Sequence, residues 1–215
     1  MEHLYTVGCS TLSLDEFVRN LKQNNINVIA DVRSVPYSHA TPQFNREILK
    51  ERLKRERILY GDFSKEFGAR RSEPAVYEGN QVSFERTKEL PEFSEGIKRI
   101  QKGLSMGYSI ALMCTEKNPL DCHRFSLVAR GIYEKTGLLA SHILSNGSVV
   151  TTAMLEGQML RKFGKEQDLF SSDTDRIREA YGILNKKIGY VLPQPREQFS
   201  EEGVDDYEKD IYMFG

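Results

Sequence analysis

The chain has 215 residues, 39% of them hydrophobic and 28% charged, with 30 Lys and Arg against 31 Asp and Glu. That length suits one well-buried domain, and the mixture is too apolar for a disordered chain. No run approaches the roughly 18 apolar residues of a membrane span, and Met1-Glu2-His3-Leu4 lacks the basic-then-apolar start of a signal peptide, so a cytoplasmic protein with no membrane partner is expected.

Leu4 to Val7 reads as a buried strand, and Gly8-Cys9-Ser10-Thr11 as the turn that leaves it. Ser13 and Glu16 have capping-box spacing, and Leu14, Phe17, Val18 and Leu21 lie on one helical face. Asn24-Asn25 ends that helix, and Val28-Ile29-Ala30 is the next strand, which places Asp31-Val32-Arg33 at its carboxyl end. A strand, helix, strand unit of this kind is parallel. Residues 34 to 44, with Pro36 and Pro42, read as a loop. A charged helix over Asn45 to Glu56 has only Ile48, Leu49 and Leu53 to bury, and Ile58-Leu59-Tyr60 reads as a short strand. Residues 61 to 92 show no periodicity and are expected to form an irregular lid.

Phe93, Ile97, Ile100 and Leu104 mark a helix, and Tyr108 to Met113 the most apolar strand, ending at Cys114. Pro119-Leu120-Asp121 is expected to open a helix with Asp121 as N-cap and Gly137 as its stop. On that helix the 3.6-residue period puts Arg124 on the buried face with Val128, and His123 on the more polar side toward Leu127 and Arg130, though at the first turn it can still reach the loop. Ser141 to Leu144 and Ser148 to Val150 form a hairpin about Asn146-Gly147. Two helices, near 152 to 163 and 174 to 187, precede the tail. The expected architecture is one α/β domain over residues 1–170, a mostly parallel sheet flanked by helices, with a helical extension over 171–195 and an acidic tail over 196–215. The tail carries seven acids against Arg196 and Lys209, a net charge of −5, so the remainder is mildly basic at +4.

In open parallel sheets, ligands bind beyond the carboxyl ends of the strands. Three strands here end in polar residues at that edge, and their convergence marks the candidate site. Asp31 and Glu116 are the candidate acid and base, with Cys122 and His123 as polarising or positioning groups. Arg33 and Arg124 are candidate anion ligands, and Ser10 and Asn45 candidate substrate contacts. A structural ion pair of Asp31 with Arg33 or Arg124 is the competing reading. Cys9 and Cys114 read as buried small hydrophobes. Cys114, Cys122 and His123 match no standard zinc spacing, so no metal and no cofactor is expected. The basic run from Arg46 to Arg57 is broken by Glu47, Glu51 and Glu56, as on a solvated helix, and is a weak nucleic-acid footprint.

At these residues the chain resembles the bacterial and archaeal domain-of-unknown-function family 488. The resemblance rests on Tyr5-Thr6-Val7-Gly8-Cys9-Ser10, on Asp31-Val32-Arg33-Ser34-Val35-Pro36 and on Pro42-Gln43-Phe44-Asn45. It continues through Ala111 to Pro119, Cys122-His123-Arg124 and Ser141-His142-Ile143-Leu144. It implies a compact α/β domain and assigns no reaction, and family members often carry His where this chain has Cys9. Asp31-Val32-Arg33 and Cys114 also look like the corresponding parts of rhodanese-type sulfurtransferases, although Thr115-Glu116-Lys117-Asn118-Pro119 lacks a glycine-rich cradle.

The residues thus lead to an enzyme acting on an anionic, nucleotide-like or nucleic-acid-derived substrate. A non-catalytic phosphate or nucleic-acid binding module and a thiol-dependent sulfurtransferase-like enzyme are the alternatives. Substrate, reaction and oligomeric state stay open.

Overall fold

A computed structural model describes residues 3–165 and 171–193. The acidic tail and the 170/171 boundary expected from the sequence lie outside the described residues. β1 (His3–Gly8) leads to α1 (Leu14–Gln23). The capping box expected there is formed: the Ser13 side chain accepts from the Glu16 amide, and the Glu16 carboxylate accepts the Ser13 amide at 2.8 Å. Asn25, with φ of 54°, turns the chain into β2 (Val28–Asp31). α2 (Arg46–Arg55) buries Leu49 and Leu53 while Ile48 stays exposed, and β3 (Leu59–Asp62) follows.

The segment from 61 to 92 corrects the expectation of an irregular lid. It holds α3 (Ser64–Phe67), an antiparallel hairpin of β4 (Tyr77–Glu78) and β5 (Gln81–Val82), and α4 (Phe84–Lys88). Elements of two to five residues are shorter than the window any periodicity test needs. The segment is also packed: Phe67 stacks on Phe63 and meets the edge of Phe93, and Val76, Val82 and Phe84 are buried. Arg71 braces it from inside, with Nη1 and Nη2 donating to the carbonyls of Lys65 and Glu66.

α5 (Pro91–Ser105) precedes β6 (Ser109–Cys114). The next helix starts otherwise than expected. Residues 119–121 form a single 3-10 turn capped by Asn118, Cys122 is extended, and Arg124–Ala129 is a π turn running into α6 (Arg130–Thr136). Asp121 is therefore no N-cap. A π turn is wider than an α turn, so the 3.6-residue period fails over it, and all six residues from Arg124 to Ala129, Leu127 included, are buried. Gly137, with φ of 74°, ends α6 as expected. β7 (Ser141–Ile143) and β8 (Val149–Thr151) form the hairpin, followed by α7 (Thr152–Lys162) and α8 (Asp173–Ile188).

The sheet runs β3-β2-β6-β1-β7-β8, parallel throughout except for β8. One face packs on α1 and α2 through Phe17, Leu21, Leu49 and Leu53. The other packs on α5, the π turn and α6 through Ile97, Ile100, Val128 and Ile132. β1 and β2 thus feed helices on one face while their shared neighbour β6 feeds a helix on the other. That reversal opens a crevice at the carboxyl ends of these three strands. α8 is part of the same body: Tyr181 and Leu184 pack with Phe125, Leu155 and Met159, and Asn185 bonds the backbone of Val82 and Phe84. Among the described residues no helix is long and apolar enough to cross a membrane.

Beside the crevice, His142 on β7 is fully buried between Thr6 and Thr152, its Nδ1 2.9 Å from one hydroxyl and its Nε2 3.0 Å from the other. Burial first, and the charge of Arg124 second, push its pKa down to about 3. The unfolded chain therefore binds more protons, so stability held above pH ~6.5 is lost as pH falls toward 3. Between pH 7 and pH 5 the wild type is expected to lose roughly 2 kcal/mol more unfolding free energy than His142→Gln, measured by urea titration. Equal losses would remove His142 as the acid-sensitive group.

Candidate active site

The cleft at the crevice encloses about 260 Å³ and is lined from four directions. β2 contributes Arg33 with Ser34 and Val35, and β6 contributes Cys114, Thr115 and Glu116. The turn before the π segment gives Asp121, Cys122 and His123. Ala69, Arg70, Ile188 and Tyr190 close the remaining side. Backbone bonds carry the sheet beyond its strands to hold this edge: Cys9 N–H donates to Cys114 O, Ser10 N–H to Thr115 O, and Val32 N–H to Met113 O.

Asp31 is ion-paired with Arg33. Its carboxylate is 1% exposed and accepts from the Arg33 amide, from Arg33 Nε at 2.9 Å, from Arg33 Nη2 at 2.6 Å and from the Tyr60 hydroxyl at 2.8 Å. A carboxylate so occupied holds Arg33 in place and has no room for a substrate proton. Arg33 meets it side-on, which leaves Nη1 without a hydrogen bond and the residue on the cleft wall. Glu116 differs from Asp31: it is exposed, and among the described residues its carboxylate has no hydrogen bond or ion pair. Partial desolvation, and then the Cys122 thiol beside it, push its pKa above the ordinary carboxylate value.

Arg124 runs under the sheet edge as its helical position predicts, but it does not reach the cleft. It has no exposed surface, Nη1 donates to Glu116 O at 2.5 Å, Nη2 donates to Lys117 O at 3.2 Å, and Nε has no partner. Its nitrogens brace a loop instead of an incoming anion. Gly8 makes this possible, because a Cβ there would collide with Glu116 O and touch Arg124 Nη2.

His123 turns into the cleft instead of toward the polar side. Nε2 lies 3.0 Å from Val32 O and Nδ1 3.6 Å from Cys114 Sγ. A carbonyl only accepts, so Nε2 carries the proton and Nδ1 offers a lone pair. Cys122 is buried beside both groups. Burial pushes its thiol up, but the bond from Cys114, the charge of Arg124 and the contact with His123 together hold it well below the ordinary thiol value. Cys114, the donor of that pair, is held well above it. Cys9 stays a buried hydrophobe, its thiol pushed up to about 11 by burial.

Two of the expected contacts sit elsewhere. Ser10, with φ of 43°, serves the turn after β1, and Asn45 Oδ1 accepts from Ser38 N–H to fasten the loop before α2. Neither lines the cleft. Sequence reasoning missed Arg70, Ile188 and Tyr190, which come from segments with no strand end to point at them. Among the described residues Arg70 has no carboxylate partner, and its guanidinium lies 5.3 Å from the Tyr190 ring centroid.

Residues 13–130 match the family described as Domain of unknown function DUF488. The chain belongs to that family. The DUF488 match spans Asp31, Arg33 and everything from Cys114 to Arg124, while the stretches around Tyr5–Ser10 and Ser141–Leu144, which extend the resemblance in sequence, fall outside it. No curated protein and no solved structure matches this DUF488 chain.

Arg124→Ala is expected to cost roughly 3 kcal/mol, since it leaves two carbonyls unpaired and a large void. Gly8→Ala displaces the same Glu116 carbonyl by collision. Because both act on one contact, the double variant should be less destabilised than the sum of the singles, as read from urea unfolding of all three. Strict additivity would show that Gly8 and Arg124 do not share that contact.

Proposed function

We propose that this protein is an enzyme that binds a small anion, of the size of a single nucleotide unit or less, in the cleft at the carboxyl edge of the sheet. The observation that carries the reading is that groups of opposite charge left unpaired by the fold share one small cleft. Among the described residues Arg70 has no carboxylate partner, Arg33 Nη1 has no hydrogen bond, and the Glu116 carboxylate has no partner, all around the Cys114, Cys122 and His123 cluster. A volume of about 260 Å³ is near the lower limit for ligand pockets, which favours a small anion over a long nucleic-acid segment.

In this reading Arg70 and the Nη1 edge of Arg33 hold the anion, and Tyr190 keeps the Arg70 guanidinium flat against the wall. Glu116, raised in pKa, exchanges a proton with the substrate as general acid or base. His123, oriented by Val32 O, and Cys122 polarise the reacting end. Asp31 and Arg124 are positioning residues: the first holds Arg33, and the second holds the loop that carries Glu116. A thiol-dependent reading, with Cys114 as nucleophile and His123 as its base, has the 3.6 Å contact between them in its favour. Mass spectrometry after alkylation at neutral pH tests it, and an unmodified Cys114 in the folded protein would dismiss it.

Thermal shift against inorganic phosphate, sulfate and nucleoside monophosphates tests the main reading. One of these anions at about 100 times its Kd is expected to stabilise the wild type by roughly 2.7 kcal/mol. Arg70→Ala should melt as the wild type does alone and lose most of that stabilisation. It is a cleaner probe than Arg33→Ala, which would strand the buried Asp31 carboxylate. The reading fails if no anion raises the melting temperature, or if Arg70→Ala responds as fully as the wild type.

A further inference from the structure

We propose that Cys114, Cys122 and His123 are a zinc site with three protein ligands and a fourth position open to the cleft. One donor atom from each residue lies within 4.8 Å of the other two. Around a tetrahedral zinc with Zn–S of about 2.3 Å and Zn–N of about 2.0 Å, sulfur and nitrogen donors sit about 3.5 Å apart. Cys114 Sγ and His123 Nδ1 are 3.6 Å apart. The imidazole already has the tautomer a metal needs. With Nε2–H donated to Val32 O, the Nδ1 lone pair faces the thiols, and ligating histidines are held by this kind of outer bond.

The donor set selects the metal. Two thiolates and an imidazole suit zinc, whereas magnesium and calcium require oxygen ligands. Three protein ligands with an open position distinguish a working site from a closed structural one, and all three residues line the cleft.

The spacing argument against a metal fails for a structural reason. The seven residues between Cys114 and Cys122 are too many for a tight metal-binding turn. Here they form a loop that leaves β6 and returns to it, and the Arg124 bonds to Glu116 O and Lys117 O hold that loop closed. Uptake of one Zn²⁺ releases to solvent whatever protons the two thiols carry, with no change of oxidation state. The fourth position then accepts water or an oxygen of the bound anion. The ligand set stands by itself; only its use toward that anion rests on the functional reading above.

Protein kept reduced, stripped by a chelator and repurified is titrated with Zn²⁺ and, separately, with Co²⁺. The expected result is one equivalent of zinc per chain, and with cobalt a thiolate-to-metal charge-transfer band together with the intense visible bands of a tetrahedral site. Cys114→Ser, Cys122→Ser and His123→Ala should each weaken zinc binding by at least about tenfold, while Cys9→Ser binds as the wild type does. Should a ligand variant fail to fold, the wild-type cobalt spectrum decides, because a site without thiolates gives no such band. The assignment is overturned by less than stoichiometric zinc, by a cobalt spectrum without thiolate bands, or by folded ligand variants that bind as tightly as the wild type. It is equally overturned if the reduced chain takes up no metal and the two thiols simply join as a disulfide in air. Arg70→Ala should keep its zinc while losing its response to anions, so failure of the functional reading and failure of the metal site are separately visible.

Discussion

The Arg124 guanidinium, buried with its two terminal nitrogens on the carbonyls of Glu116 and Lys117, fixes where the chain goes after the central strand. A buried cation is costly unless something negative answers it. The answer here is made of two carbonyl dipoles, and among the described residues no carboxylate takes part. That choice leaves Glu116 free to face the cleft, because its backbone is used for structure and its side chain is not. It also sets Cys122 and His123 against Cys114, since the loop must close before the helix carrying Arg124 begins. The absence of a Cβ at Gly8 lets the loop lie directly on the end of β1.

The sheet order explains why this happens at β6. That strand has parallel neighbours on both sides, and it alone of the three sends its continuation to the face occupied by α5 and α6. The chain ends of β1 and β2 turn away in the other direction, so polar groups at their tips surround a gap that no loop fills. His123 spans this gap, touching Cys114 at the end of β6 and Val32 just after β2. The Asp31, Arg33 and Tyr60 network ties β2 to the edge strand β3.

Much of this was legible in the amino-acid order. Alternation and helical period located the parallel strands and the helices around them. The capping box at Ser13, the hairpin at Asn146-Gly147 and the stop at Gly137 follow from local chemistry that tertiary packing did not override. The polar strand ends pointed to one edge and named Arg33, Glu116, Cys122 and His123 as cleft residues. Three things were hidden. A π turn changes the number of residues per turn, so a 3.6-residue reading put Leu127, which is buried, on the polar side. The hairpin and short helices of residues 64 to 88 are too brief to show a period. Spacing along the chain says nothing of a loop closed by a buried arginine, which brings donor atoms of Cys114, Cys122 and His123 within 4.8 Å of one another.

One wall of the cleft has a separate origin. Ile188 and Tyr190 lie at and just beyond the end of α8, far outside residues 13–130, whereas every group proposed to react comes from within that range. The wall that holds Arg70 and the groups carrying acid, thiol and imidazole chemistry therefore lie on different stretches of chain, so substitutions near residue 190 would reshape that wall, and how firmly Arg70 is held, without disturbing the thiols, the imidazole or Glu116.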